Sequence, residues 1–112
     1  MLNVYDKAHE LARALLESEE YIEFKKAKEE LEKDKKALEM LKDLRAKEIE
    51  VQTLALSGKT FAEEEQKLNN LYEIIKYHSG IKRYLEAENK LMVLIFDIQK
   101  IIFNSLDVQL GE

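Results

Sequence analysis

Cysteine and proline are absent from this chain of 112 residues, and glycine occurs only three times. Without cysteine there are no disulfides, thiolate metal sites or cysteine nucleophiles, a composition that suits a reducing compartment. Without proline, and with Glu, Lys, Leu and Ala abundant, little interrupts helices except at a few marked points, so almost no strand is expected. Charge of a single sign is missing too. The 23 acids and 18 bases leave a net charge of −5, with the two signs interleaved. That pattern is a weak electrostatic footprint for nucleic acid, and no direct nucleic-acid binding is expected. Lys25-Lys26-Ala27-Lys28 and Lys33-Asp34-Lys35-Lys36 are basic, but Glu29, Glu30 and Glu32 lie among them. Acids placed four residues before bases read instead as a solvated helix face: Glu29 with Lys33, Glu32 with Lys36, Asp43 with Lys47 and Glu63 with Lys67.

A bilayer-spanning run is also lacking. The most apolar stretch, residues 91–103, is broken by Asp97 and then by Gln99-Lys100, well short of the roughly 20 apolar residues a span needs. No membrane insertion is expected, and the early acids Asp6 and Glu10 do not fit a signal peptide. The same stretch is nonetheless apolar on most sides, and a helix apolar all round must be buried all round. Leu91, Met92, Leu94, Ile95, Phe96, Ile98, Ile101, Ile102 and Phe103 therefore form a candidate oligomer interface, covered partly by this chain and partly by a second copy.

Five helical segments can be traced. Asn3 caps a first helix carrying Val4, Ala8, Leu11, Ala12 and Leu15 on one face. Ser18 caps a second, with Glu19 and Glu20 at its positive end and Tyr21, Phe24, Ala27 or Lys28, and Leu31 facing inward. From Asp34 a third helix places Ala37, Leu41, Leu44, Val51 and Ala55 on one side, and Ser57-Gly58 supplies a left-handed stop. Thr60-Phe-Ala-Glu63 has the form of a capping box opening a fourth helix with Phe61, Leu68, Leu71, Tyr72 and Ile75. His78-Ser79-Gly80 ends it, and a last helix from Ser79 carries Tyr84, Leu91, Ile95, Ile98 and Ile102. At about 26 residues and 1.5 Å each, that helix is roughly 39 Å long. The expectation is a single all-α domain over residues 1–112, a long antiparallel helical hairpin or bundle that self-associates through its C-terminal helix.

Motifs that suggest catalysis fail on spacing. Gly58-Lys59-Thr60 ends like a phosphate-binding loop, but Thr53 stands where the first glycine is needed and no strand precedes it. His9-Glu10 begins like a zinc-protease helix, yet Arg13 occupies the second histidine position. Asp6 and His9 resemble half of a di-iron pair, but His78 follows Ile75 at the matching distance. A partly exposed surface histidine is the better reading of His9. Neither a catalytic residue nor a resident metal or cofactor is expected.

Two acids interrupt apolar faces: Glu48 between Leu44 and Val51, and Glu88 between Tyr84 and Leu91. A carboxylate turned toward a core needs a partner. Arg45 is the candidate partner of Glu88, in an ion pair that would fix the register of the third and fifth helices.

Several segments together resemble the YlbF/YmcA/YheA family of small bacterial helical proteins. They are Val4-Tyr-Asp-Lys-Ala-His-Glu-Leu-Ala12, Ser18-Glu-Glu-Tyr21, Leu44-Arg45 with Gln52, Ser57-Gly58 before Glu63-Glu-Glu65, and Tyr84-Leu-Glu-Ala-Glu88 with Lys100-Ile-Ile102. The resemblance implies a self-associating helical hairpin and a non-enzymatic regulator of the kind used in competence, sporulation and biofilm formation. Some members of that family join a three-protein complex acting with a membrane-tethered ribonuclease in mRNA maturation. Iron-sulfur clusters linked with those members are held by cysteine, so that cofactor does not transfer to this chain. The lack of cysteine makes the chain look closer to the YheA-like branch. Leu44 stands where the family commonly has Phe, and the prolines often found near its interhelical turns are missing, departures that bear on the turn geometry. The resulting expectation is a cytoplasmic, homo-oligomeric adaptor with regulatory protein partners. A metal-dependent helical-bundle enzyme and an RNA-associated scaffold are the alternatives.

Overall fold

In the computed structural model, residues 3–108 are described. Among them the fold is all-α, 85% helical and without strands. The helices are α1 (Val4–Leu16), α2 (Glu19–Glu32), α3 (Lys35–Leu56), α4 (Ala62–Ile75) and α5 (Ser79–Ser105). No described helix is long and apolar enough to cross a membrane.

Most helix ends follow local chemistry. Asn3 Oδ1 accepts from the Tyr5 N–H at 2.9 Å, Ser18 Oγ accepts from Tyr21 at 3.1 Å, and Asp34 Oδ1 accepts from Ala37 at 3.1 Å. Each satisfies a backbone donor that the first turn would otherwise leave open. At the end of α3, Gly58 takes φ +71°, the Gly58 N–H donates to Ala55 O and the Lys59 N–H donates to Leu54 O. That is the paired-bond glycine stop foreseen at Ser57-Gly58.

The capping box at Thr60 does not form. Phe61 precedes the first turn of α4 and no side chain caps it. Phe61 itself is half-buried. Two of the expected charge pairs also straddle a helix end rather than lie on one helix. Lys33 follows the last residue of α2, and Lys36 belongs to α3. Lys47 turns to Glu50 and Glu64, at 2.8 and 2.7 Å, whereas Lys67 does approach Glu63, at 3.9 Å.

The chain divides into two compact units, Met1–Ala27 with Leu85–Glu112, and Lys28–Tyr84. The second unit holds the end of α2, all of α3 and α4, and the start of α5. Its α3 and α4 pack as an antiparallel hairpin, tied by Lys47 to Glu64 and by the Tyr72 hydroxyl to Glu48 at 2.7 Å. Inside the same unit Arg83 of α5 meets Glu30 of α2 at 2.6 Å, and His78 lies 3.4 Å from Asp34. Leu31, Ala37, Leu44, Leu68, Ile75 and Ile81 are its buried core. The first unit contains α1, the start of α2 and most of α5, and among its described residues only Ala27, Ala87 and Leu91 are buried.

Candidate interaction surface

Polar groups in the Lys28–Tyr84 unit are occupied in holding helices together. Glu48, which needed a partner, finds it in Tyr72, whose hydroxyl donates to Glu48 Oε2, with the Arg45 guanidinium 3.7 Å from Oε1. Burial, and then the bond to Glu48, push the Tyr72 phenol up to about 12. It therefore keeps its proton at neutral pH and can serve as a fixed donor. Sequence reasoning passed over this pair because the two residues lie on different helices.

His78, with its side chain 30% exposed, is a joint between helix ends. Its Nδ1 accepts from the Ile81 N–H at 3.1 Å, capping α5, and its Nε2 lies 3.4 Å from Asp34 Oδ2. The proton therefore belongs on Nε2, since Nδ1 is an acceptor. A Cβ at Gly80 would meet the imidazole Cε1 at 3.2 Å, so glycine leaves room for the ring. The Ala37 N–H, and secondarily His78, hold the Asp34 carboxyl below its ordinary value. With both ring nitrogens engaged, His78 has no open lone pair for proton transfer. No group of three or more His, Cys, Asp or Glu able to hold a metal ion occurs among the described residues.

Of the Arg45 and Glu88 candidates, Arg45 lies on α3 with a side chain 41% exposed, and Glu88 is half-buried on α5.

The other unit is different in kind. None of the residues of α1 is buried, and Val4, Tyr5, Leu11 and Leu16 are exposed. Along α5, coverage fades toward the C-terminus: Ala87 and Leu91 are buried, Leu94, Ile95 and Ile98 half-buried, and Ile102 47% exposed. Phe103 is half-buried, whereas Met92, Val93, Phe96 and Ile101 are exposed, followed by Leu106 and Val108. Of the nine residues foreseen as an interface, Leu91 is thus already covered within the chain, and the rest are half-buried or exposed. Open depressions flank Val93 and Asp97, one reaching Glu20 and Asn89 and the other Phe96 and Lys100. Lys100 Nζ lies 4.9 Å from the centre of the Phe96 ring. Such a surface offers contact area rather than reactive groups.

A family model described as control of competence regulator ComK, YlbF/YmcA, matches residues 4–107. A UPF0342 protein of Halothermothrix orenii is 38% identical over 110 residues, covering 97% of this chain and 93% of its own length. Another from Alkalihalophilus pseudofirmus is 44% identical over 108 residues, covering 96% and 92%. A third, from Caldicellulosiruptor bescii, is also 44% identical over 108 residues, covering 96% and 91%.

Proposed function

The chain belongs to the YlbF/YmcA family, and from that premise we propose that it is a non-enzymatic regulatory or adaptor subunit, cytoplasmic and homo-oligomeric, working through contacts made by α5. The observation that carries this reading is where the large apolar side chains lie exposed. Val4, Tyr5, Leu11, Leu16 and Ile22, with Met92, Val93, Phe96, Ile101, Ile102, Leu106 and Val108, all fall in the unit formed by the two ends of the chain. Only Ile49, Leu56, Tyr72, Ile74 and Tyr77 fall in the other. Large apolar side chains left exposed in such number favour a site of protein association.

The regulatory part of the reading rests on the family description, which concerns control of ComK. Competence, sporulation and biofilm formation are the processes in which such a subunit would act, and the YheA-like branch is its proposed place within the family. Both units form one cooperative domain in this account, because α2 and α5 each contribute residues to both. Deleting the gene in the native cell and reading a ComK-dependent reporter tests the function. Output should change on deletion, return with the wild-type chain, and stay altered when Phe96→Ser is supplied at equal abundance. Unchanged output on deletion contradicts a role in that control.

A further inference from the structure

We propose that His78 is a proton-sensitive latch on the first turn of α5: on taking up a proton it lets go of the Ile81 N–H while keeping its hold on Asp34. The device lies wholly in the Lys28–Tyr84 unit, so it stands independently of the contact surface proposed above. Asp34 and His78 occupy equivalent places, each immediately before a helix. Asp34 Oδ1 accepts from the Ala37 N–H at 3.1 Å and His78 Nδ1 from the Ile81 N–H, also at 3.1 Å, so each caps the third residue of its helix. Their carbonyls accept the first helical bonds, from Leu38 and Lys82, both at 3.0 Å. Ala37 and Ile81 are each 0% exposed, so each cap pins a residue of the core. Asp34 Oδ2 and His78 Nε2, 3.4 Å apart, join one cap to the other.

The two caps differ in what a proton does to them. A carboxylate stays an acceptor into acid, and the Ala37 N–H holds the Asp34 carboxyl below its ordinary value. Imidazole changes charge between about pH 5 and 8, and its cationic form donates from both nitrogens. With Nε2 already protonated toward Asp34, the added proton goes to Nδ1 and faces the Ile81 N–H, donor against donor. A positive ring is also unfavourable at the positive end of α5. Asp34 attracts the same ring more strongly once it is charged. One proton therefore weakens one contact of the ring and strengthens the other. Solvent reaches the half-buried side chain, and the missing Cβ at Gly80 leaves the ring space beside the first turn. Arg83 and Lys76 are held by Glu30 at 2.6 Å and Glu73 at 2.8 Å, and the Tyr77 ring lies 5.4 Å from Lys76 Nζ. Lys82 on α5, with Lys33 and Lys35 beside Asp34, adds positive charge and offers the cation no acceptor.

Nuclear magnetic resonance of the full-length chain reads the ring nitrogens and both capped amides. At about pH 7.5 the His78 signals should show Nδ1 bare and Nε2 protonated, and at about pH 5 both protonated. Over the same change, protection of the Ile81 amide from hydrogen exchange, corrected for the intrinsic rate, should fall about tenfold or more while that of Ala37 holds. His78→Asn keeps a capping oxygen and does not titrate in this range, so its Ile81 protection should be equal at both pH values. His9→Asn should behave as wild type. Unchanged Ile81 protection in wild type, a ring still neutral at the lower pH, or an Nδ1 already protonated at the higher one each overturns the latch. So does a His78→Asn chain that loses Ile81 protection in acid as wild type does. Should that variant fail to fold, the wild-type contrast between Ile81 and Ala37 still decides.

Discussion

The unit built from the middle of the chain closes its own core, whereas the unit built from the two ends leaves much of its apolar surface open. Leu44 and Ile81 are fully covered in the first, and the polar groups around them bridge helix to helix through Glu48 with Tyr72, Lys47 with Glu64, and His78 with Asp34. In the second, Ala27 and Ala87 are two of only three buried residues among those described, while Phe96 and Met92 are each 50% exposed. Helix amphipathicity alone does not say where an apolar face is satisfied. In the account proposed above, folding rests mainly on one unit and association mainly on the other.

Paired truncations would break this contrast most sharply. Leu44→Ala should lower stability by about 2–5 kcal/mol, since it opens a cavity in a packed core. Its loss in melting temperature should not depend on protein concentration. Phe96→Ser should instead reduce the concentration dependence of melting, because association contributes to apparent stability by mass action. Thermal melts across a hundredfold range of concentration read both. A Phe96→Ser loss that is the same at every concentration would place that side chain in the fold rather than the interface.

A smaller effect is expected at Tyr72→Phe, which removes the donor to Glu48 and should destabilise by about 1 kcal/mol. The pH dependence has a definite sign. Folding raises the Tyr72 phenol to about 12 from its ordinary value of 10.0, so the stability linked to its proton is complete below pH 10 and is lost as pH rises through about 12. Denaturant titrations of wild type and Tyr72→Phe between pH 9 and 12 should converge. A constant gap would contradict the linkage.

The proposed Arg45 and Glu88 pair comes next. Because the Arg45 side chain is 41% exposed, its coupling should be about 1 kcal/mol or less rather than that of a dry ion pair. A double-mutant cycle with Arg45→Met and Glu88→Gln measures it, and strictly additive losses would remove the pair. Asp34→Ala should give a modest loss, confined to pH values above the lowered titration of Asp34. The sign follows from folding having lowered its pKa: the contribution is present above the usual carboxylate range and fades as pH falls through the folded value. Urea midpoints at pH 3 and pH 7 separate the two conditions.

Features set within one turn of chain were legible in the sequence. Asn3, Ser18 and Asp34 start their helices and Gly58 stops α3, because each acts on backbone groups two to four residues away. The spacing of Leu31, Leu44, Leu68 and Leu91 likewise gave core faces. What escaped depends on contacts between helices. Thr60 has the residue type of a cap, but Phe61 sets the start of α4. Tyr72 and Glu48 are 24 residues apart, and His78 meets Asp34 across 44 positions, so periodicity carries no sign of either pair. Ile81, fully buried, lay one turn before the Tyr84 from which the inward face of α5 was traced, and that spacing could have found it. The interface candidates on α5 were visible as excess apolar residues, since a surface left open by the fold must be recorded in composition.

Sedimentation equilibrium of the full-length chain at micromolar concentration tests the division of labour most directly, because an interface of standard size should hold in that range. The account predicts a mass at least twice that of one chain, falling toward one chain for Phe96→Ser while helicity is retained. A wild-type chain that stays at the mass of a single copy would contradict it.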